Sequence, residues 1–460
     1  MNSDQQKRAA LLIATMASFT GPFMISSINI ALPVIEKEFQ LNAILLSWIV
    51  NSFLLSTAVF LVPAGRMADL YGRKLLFKWG IILFSISTLL CGLSNNIIQL
   101  ILFRTLQGMS GAMIMTTGVA ILISVFPANE RGRVLGINVA AVYTGLSMGP
   151  FAGGLLTQHL GWRSVFYTTV PLSLLIVYFT VYRLKGEWAD AKGEKFDLTG
   201  TLIYAMALIA LVYGASVLPS ILGVILILTG ILLLWIFARW ELSHKFPVFE
   251  VKLFKGNRVF AFSNLAALIN YSATFAITFL LSLYLQNILG LSPQNAGFVL
   301  VSQPVIMAIF SPYAGRLSDR VEPRIIASLG MAITAIGLIL FIFTNSETSL
   351  TYIVMALVLL GFGFALFSSP NMNTIMSSVE KRFYGIASGS AATMRLLGQM
   401  MSMAIATLLF ALFLGKEPIN TSNIPAFITS IKWAFGIFSV LCITGIYFSM
   451  ARGELHNSKS

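Results

Sequence analysis

The sequence predicts an all-α polytopic membrane protein in which two six-helix bundles are joined by two extra helices, giving fourteen transmembrane helices. The first observation is composition: 57% of the 460 residues are hydrophobic and 10% are charged, whereas soluble domains carry about 25% charge. The second is a repeat, because GRMADLYGRK at 65–74 returns in weaker form as GRLSDRVEPR at 315–324. Two copies of a basic loop, each between long apolar runs, indicate a duplicated helical bundle of the kind that builds carriers.

Apolar runs long enough to cross a bilayer, which takes roughly 20 residues, define the elements in order. The predicted helices cover 10–33, 44–64, 75–94, 98–126, 133–157, 163–184, 198–217, 219–238, 258–288, 294–313, 325–345, 349–371, 385–414 and 428–451. The first run is too long for the apolar core of a signal peptide, so we expect it to be retained as a helix.

The distribution of Lys and Arg orients these helices. With the amino terminus in the cytoplasm, 24 of the 30 basic residues fall in inner segments and 4 in outer ones, and Arg104 and Arg395 lie inside helices. Basic residues concentrate in cytoplasmic loops, so we expect a multi-pass plasma-membrane protein with both termini inside. Loss of one helix from the count would invert every later loop and remove this asymmetry.

The domain organisation follows from the position of the repeat. The first copy follows helix two and the second follows helix ten, which becomes the eighth when helices seven and eight are set aside. We therefore predict a first bundle at 1–184, a linker with two extra helices and a cytoplasmic loop at 185–257, and a second bundle with a short tail at 258–460. We expect the protein to act as a monomer in the lipid bilayer.

Several classes of function are disfavoured by the same residues. The net charge of +13 is spread over short loops, unlike a nucleic-acid-binding face. Cys91 and Cys442 lie inside apolar runs, and no metal-type cluster, cofactor motif or phosphate-binding loop is present in the sequence. A membrane enzyme would need a buried base or metal ligand, so we predict a protein that is not an enzyme and binds neither metal nor cofactor.

Four motifs in order resemble the major facilitator superfamily, and within it the fourteen-helix drug:proton antiporter group. They are Gly65, Asp69, Gly72, Arg73 and Lys74 after helix two; Arg104, Gln107, Gly108 and Gly111 in helix four; Gly145, Gly149, Pro150, Gly153 and Gly154 in helix five; and Trp162, Arg163, Phe166 and Pro171 at helix six. The resemblance covers nearly the whole chain and implies the major facilitator fold.

The resemblance also implies roles for these motifs. The loop motif, with Gly315, Arg316 and Asp319 in its second copy, would form a latch between bundles in one access state; the alternative is a turn with positive-inside anchoring. The glycines of helix five make a smooth stripe, which the family uses to seal the transport path, and we expect helix ten as its counterpart. Arg104 would belong to a polar network linked to proton movement, with a tie to a backbone carbonyl as the structural alternative.

One departure from the family bears on substrate. The family carries an acid in helix one where this chain has Met24, in a stretch that ends Asn29-Ile-Ala-Leu-Pro33. All 17 acids fall in predicted loops, ends or tails, so the charges inside helices are Arg104 and Arg395. A buried carboxylate is the usual partner of a lipophilic cation, so we predict neutral or anionic amphipathic substrates.

Polar and aromatic residues inside the spans complete the predicted substrate cavity, because polar groups in lipid are expensive and face inward. With Met24 and the two arginines, the candidates are Asn29, Trp48, Asn51, Gln107, Tyr143, Asn270, Tyr271, Gln303 and Asn371. The sequence thus predicts a secondary exporter of drug-like small molecules that works by alternating access, with protons as a candidate coupling ion. The alternatives are a uniporter or importer of an organic anion and a non-transporting membrane sensor.

Overall fold

The computed structural model describes residues 3–318, 320–380, 384–415, 419 and 423–453, and within them it has fourteen helices long and apolar enough to cross a membrane. The bounds are α1 Ser3–Phe39, α2 Ala43–Tyr71, α3 Arg73–Gly92, α4 Ile97–Val125, α5 Ala128–Leu160, α6 Arg163–Tyr182, α7 Leu198–Ser216, α8 Ile221–Ser243, α9 Arg258–Ile288, α10 Pro293–Ser318, α11 Pro323–Ile342, α12 Leu350–Ser377, α13 Tyr384–Phe413 and α14 Ile424–Ala451. The predicted number and order of helices are confirmed.

Polar side chains at loop ends start several of these helices. Asn42, Asn96, Asp197 and Ser349 each accept a hydrogen bond from the backbone N–H three residues later, which satisfies a donor that a helix start leaves free. Between α2 and α3 the chain turns at Gly72, whose φ of +123° disfavours any residue with a side chain. The turn holds the two helices close together.

Several helices differ from the predicted form. α2 continues to Tyr71, seven residues past the predicted end at 64, so Asp69 lies in the helix rather than in a loop. α1 continues to Phe39, six residues past the predicted end at 33, so Glu36 lies in a helix rather than a loop. α9 is interrupted at Phe275 and finishes as a π-helical turn, Tyr284–Ile288. α10 is interrupted at Val301. Apolar runs identify a span, but they do not show where its hydrogen-bond ladder changes.

The helices pack as two groups of six with the extra pair beside them. α1 packs against α5, α2 against α4, and α3 against α4 and α6; α9 packs against α13, α10 against α12, and α11 against α12 and α14. The groups meet where α5 contacts α10, α13 contacts α2, and α9 contacts α1. α7 and α8 pack on each other, and α7 also contacts α2 and α13. The interface between the two groups is therefore central, and the extra pair lies at one of its sides.

We call the end of the bundle at which α1 begins and α14 ends the basic end, and the other the opposite end. The basic end carries the α2–α3 turn, the linker at 183–197 and the loop at 244–257. The opposite end carries the α1–α2, α5–α6 and α9–α10 turns. Each end has its own set of polar contacts.

Candidate functional site

At the opposite end, a proline creates a contact between the two helix groups. Pro33 has no N–H, so the carbonyl of Asn29, four residues earlier, loses its partner in α1. Ser282 of α9 donates its hydroxyl to that carbonyl at 2.7 Å, and Gln286 donates its side-chain amide to the Ile30 carbonyl at 3.0 Å. Two side chains of the second group therefore close on the backbone of the first.

Glu36 extends this contact toward the helix ends. Its side chain is buried, accepts a hydrogen bond from the Asn287 amide at 3.1 Å and accepts a second from the Ile419 backbone at 3.3 Å. Both donors belong to the second group. A carboxylate therefore bridges the two groups, which the predicted loop position of Glu36 did not indicate.

The glycines of α5 allow close approach on two sides. A Cβ at Gly145 would lie 2.5 Å from the Phe19 carbonyl oxygen, and one at Gly153 would lie 2.7 Å from Ser27 Cα, so the stripe that contains Gly149 faces α1. The predicted counterpart, α10, is met instead by Gly154, where a Cβ would lie 2.7 Å from the Pro293 carbonyl oxygen. A stripe repeating every four residues shows that a helix can approach but does not select which one.

α10 carries its own glycine at this contact. A Cβ at Gly297 would collide with the carbonyl oxygen of Pro150. Pro150 also frees the Leu146 carbonyl within α5, and Ser26 of α1 donates to it at 3.2 Å. On the α1 side, the carbonyl that Pro150 frees is thus hydrogen-bonded. On the α10 side, Pro150 packs against Gly297.

Midway along the helices, side chains from both groups meet around Tyr143. Its hydroxyl lies 3.1 Å from the Ser368 hydroxyl of α12. Tyr271 on α9 and Arg395 on α13 lie near enough to interact electrostatically with Tyr143. Tyr271 also packs edge-on against Phe364. Three of the predicted cavity residues, one from the first group and two from the second, are thus brought together.

Arg395 is the notable charge at this centre. Its side chain is half-buried, and no hydrogen bond or ion pair joins it to another described residue. In the described helices every Asp and Glu lies within three residues of a helix end. The central cation therefore has no carboxylate beside it at its own depth.

Arg104 is placed differently. Its guanidinium is fully buried inside the first group, where Nε donates to the Ile49 carbonyl at 3.1 Å and Nη1 donates to Gln107 at 2.6 Å. It also stacks over the Phe53 ring with 4.4 Å to the centroid, and Gln107 donates onward to Thr88. The carbonyl tie offered as the structural alternative is present, and it joins α4 to α2.

Two other candidates contact helices away from the centre. Trp48 packs against Tyr213 of α7, so it faces the extra pair. Asn371 donates to the Ser263 carbonyl and accepts from Arg452 at 2.7 Å near the basic end. These contacts were not predicted, because spacing along a helix does not show which neighbour each face meets.

Arg452, one of the basic residues counted in the predicted inner segments, is buried at the end of α14. It is 1% exposed, and burial lowers the pKa of its guanidinium to about 10, so it stays charged at neutral pH. Its bond to Asn371 joins the end of α14 to α12. From sequence alone, a basic residue at a helix end that hydrogen-bonds a neighbouring helix looks the same as one that only sets the orientation in the membrane.

The remaining candidates lie in or beside the interface. Met24 is fully buried in the core, and Asn51 donates to Thr407 of α13 at 3.3 Å across the two groups. Gln303 is half-buried on α10. Asn270 is fully buried, and neither atom of its amide has a hydrogen-bond partner among the described residues; the same holds for the side-chain oxygen of Asn29.

At the basic end, the loop motif binds the linker of its own half. Arg73 pairs with Asp69 at 2.8 Å and with Asp190 of the linker at 2.7 Å. Glu187 accepts from the backbone N–H groups of Lys74 and Leu75 at 2.8 and 3.0 Å. The linker thus covers the start of α3.

Further contacts hold the same linker. Arg66 pairs with Glu194, and the Ala191 N–H donates to the Asp69 carbonyl. The described contacts of Asp69, Arg73 and Gly315 all stay within the half that carries each residue and its linker. In the second copy Gly315 packs against Ser369, Arg316 is exposed, and Asp319 lies outside the described residues. The predicted latch between bundles stays a prediction for another access state.

Two six-helix groups, with an extra helix pair beside them, enclose a centre whose polar side chains are partly without hydrogen-bond partners among the described residues. This architecture is that of a polytopic membrane transporter. The sequence model of the Major Facilitator Superfamily matches residues 11–262 and 263–459. The chain belongs to that superfamily, as its four motifs predicted, and it is a secondary transporter.

Known proteins agree with this assignment. The chain is 29% identical to the riboflavin transporter RibZ of Clostridioides difficile, over 97% of each chain. It is 30% identical to the multidrug resistance protein Stp of Mycobacterium tuberculosis, over 86% of this chain and 75% of that protein. A crystal structure of a bacterial homologue of the human lysosomal transporter Spinster shares the fold, with a TM-score of 0.71 and 16% identity over 98% of this chain and 96% of that one.

Proposed function

We propose that this transporter exports neutral or anionic amphipathic small molecules by alternating access. The observation that carries the proposal is Arg395, a half-buried cation beside Tyr143 and Tyr271 without a carboxylate at its depth. An uncompensated cation at this depth disfavours a cationic ligand and favours an anion or the electron-rich edge of a neutral one. The two tyrosines add aromatic surface with polar tips.

The access state is one in which an exporter would take up its ligand. The halves, 1–184 and 258–460, are tied at the opposite end by Ser282, Gln286 and Glu36. Positive-inside counting places that end outside the cell and both termini in the cytoplasm. The structure would then be closed to the outside and ready to take its ligand from the cytoplasmic side of the plasma membrane, as a monomer, with 185–257 carrying the extra pair.

The relatives suit this substrate class. One is named for riboflavin, which is a planar aromatic molecule with polar edges, and another for multidrug resistance. A cavity that holds such molecules needs apolar and aromatic walls with a few polar groups. The unpartnered side-chain oxygen of Asn29 and the unpartnered amide of Asn270 supply such groups on α1 and α9.

Proton coupling forms the second part of the proposal, and Glu36 is its candidate acid. Its two hydrogen-bond donors belong to the other half, so separation of the halves at the opposite end would expose the carboxylate to water. A group whose solvation changes between two states binds protons differently in them. That difference is what coupling to a proton gradient requires.

The proposal is tested by flux in proteoliposomes of purified protein. We expect transport of riboflavin and of an aromatic carboxylate to exceed that of a permanent dication, and to rise with an imposed pH gradient. Arg395→Gln should lower carboxylate transport by about tenfold or more, because the loss of a charged hydrogen bond is worth roughly 1.5–3 kcal/mol. Arg183→Gln, an exposed arginine at the end of α6, is the matched control.

The opposite pattern would overturn the proposal. Robust transport of the dication, with binding lost on substitution of Met24, would show a cation site in helix α1. Facilitated movement of the carboxylate with no response to a pH gradient would indicate a uniporter.

A further inference from the structure

An apolar cavity near the basic end lies between the extra helix pair and the second half. It encloses about 220 Å³. Its walls come from four elements, namely α7, α8, the loop that follows α8, and α13; the lining residues are Tyr204, Leu234, Phe237, Ala238, Phe249, Val251, Phe254, Thr393, Met394 and Leu397. The cavity is separate from the centre around Tyr143.

The two polar side chains in this lining are occupied elsewhere. The Tyr204 hydroxyl donates to the Ala58 carbonyl of α2 at 3.3 Å, and the Thr393 hydroxyl donates to the Gly389 carbonyl of its own helix at 2.9 Å. They present a ring and a methyl group to the cavity. A space with apolar walls holds water poorly, and a smaller apolar cavity of about 150 Å³ already binds small apolar molecules.

The depth of the cavity matches the upper part of an acyl chain. Tyr204 and Phe237 each lie six residues from the basic end of their helices, so roughly 9 Å from it at 1.5 Å per residue. That depth is just below the headgroups of a bilayer about 30 Å thick in its core. The outer face of α8 is apolar and exposed, from Leu228 at 62% to Trp235 at 58%. Trp235 follows the lining residue Leu234, so the cavity borders lipid.

The edge of the cavity is basic. The short helix Lys252–Gly256 places Phe254 in the lining, with the exposed Lys252 and Lys255 on either side of it in sequence. Arg239, also exposed, follows the lining residue Ala238. Two acids lie nearby: Glu241 is buried and accepts from the Phe249 N–H, and Glu250 is half-buried between the lining residues Phe249 and Val251. Three exposed cations against two acids leave the edge net positive.

From these observations we infer that the cavity is a binding site for an anionic phospholipid of the surrounding bilayer, with one acyl chain among the aromatic side chains and the phosphate on the basic edge. Transfer of a chain from lipid to an apolar cavity gains little, because lipid tails are as apolar as the lining. The charge of the edge therefore decides affinity, and each basic residue near an anionic surface contributes about fivefold.

Such a lipid would link the extra pair to the moving half. α13 supplies Thr393, Met394 and Leu397 to the cavity and Arg395 to the centre. A chain seated between α7, α8 and α13 fills space that the protein leaves open, and it would keep the extra pair in contact with the second half as that half moves.

Native mass spectrometry of the full-length protein, released from phosphatidylcholine vesicles that contain phosphatidylglycerol, tests the site. We expect retained phosphatidylglycerol, about fivefold less with Lys252→Gln or Lys255→Gln, and loss of the same signal with Phe237→Trp, which fills the cavity. Lys192→Gln, an exposed lysine of the linker, and Leu228→Trp, on the lipid face of α8, are matched controls. Thermal unfolding of each variant confirms that it is folded.

Equal retention by the wild type and by the edge and filling variants would overturn the site. So would retention of phosphatidylcholine as strong as that of phosphatidylglycerol. Slower substrate flux in Phe237→Trp with unchanged lipid retention would show that the cavity admits substrate instead, and it would also overturn the lipid assignment.

Discussion

The two ends of the bundle are held by different kinds of contact. At the opposite end, the halves touch through buried backbone: Ser282 and Gln286 donate to carbonyls of α1, and Gly297 packs on Pro150. At the basic end, the loop motif at 65–74 binds the linker at 185–197 through partly exposed charges. One end joins the two halves, and the other joins a half to its own linker.

The difference shows which contacts stabilise the access state seen in the structure. Breaking a buried hydrogen bond or a close helix contact costs the full free energy of that interaction. An exposed ion pair contributes only about 0–1 kcal/mol to stability. We therefore expect substitutions at the opposite end to change the population of access states, and substitutions at the basic end to change local order.

The distance between the two halves at the opposite end reports the population of access states. Leu160 on α5 and Phe343 after α11 are exposed at the opposite end, at 70% and 69%, and accept spin labels through introduced cysteines. The native Cys91 and Cys442 are buried in α3 and α14. Pulsed electron paramagnetic resonance then reports the closed and open populations.

The largest effect is expected from Gly297→Val. A side chain at this position collides with the Pro150 carbonyl, which is backbone and cannot rotate away. Overpacking costs roughly 1–3 kcal/mol, so the closed population should fall about 5- to 150-fold relative to the open one. In the control, Gly436→Val, nothing lies within 4 Å of an added Cβ. An unchanged distance distribution in Gly297→Val would contradict the assigned contact.

A smaller shift in the same direction is expected from Ser282→Ala. The substitution removes the hydrogen bond to the carbonyl freed by Pro33 in the closed state. The expected cost is the net contribution of one hydrogen bond, about 0.5–1.5 kcal/mol. Pro33→Ala restores an N–H to α1, so Ser282→Ala should cost less in that background. Ser272→Ala, whose hydroxyl donates within its own helix, is the control. Equal costs of Ser282→Ala in both backgrounds would show that the proline plays no part.

The smallest effect is expected from Glu187→Ala. The carboxylate of Glu187 is exposed and accepts from two N–H groups at the start of α3, so its loss should cost about 0.5–1 kcal/mol. Hydrogen exchange of Lys74 and Leu75 should quicken a few-fold, with no change in the distance at the opposite end. Lys192→Ala serves as the control. A clear change in that distance would mean that the linker, too, sets the access state.

Much of the fold could be predicted from the sequence because the bilayer imposes it. A span must be apolar, long enough to cross and internally hydrogen-bonded, so composition and run length define fourteen helices. The repeat placed the two halves, and four motifs indicated the superfamily. Tyr143, Tyr271 and Arg395 were predicted as cavity candidates from their polarity within spans. Polarity favours inward-facing positions but does not show which residues meet.

What only the tertiary structure decided is which helix each face meets. The glycine stripe faces α1, Trp48 faces α7, and Arg452 is buried against Asn371. Glu36, expected in a loop, bridges the halves. Spans and their order follow from the transfer of single segments into lipid, which each segment's own residues determine. Contacts between helices depend on rotation and tilt, which the whole bundle sets together.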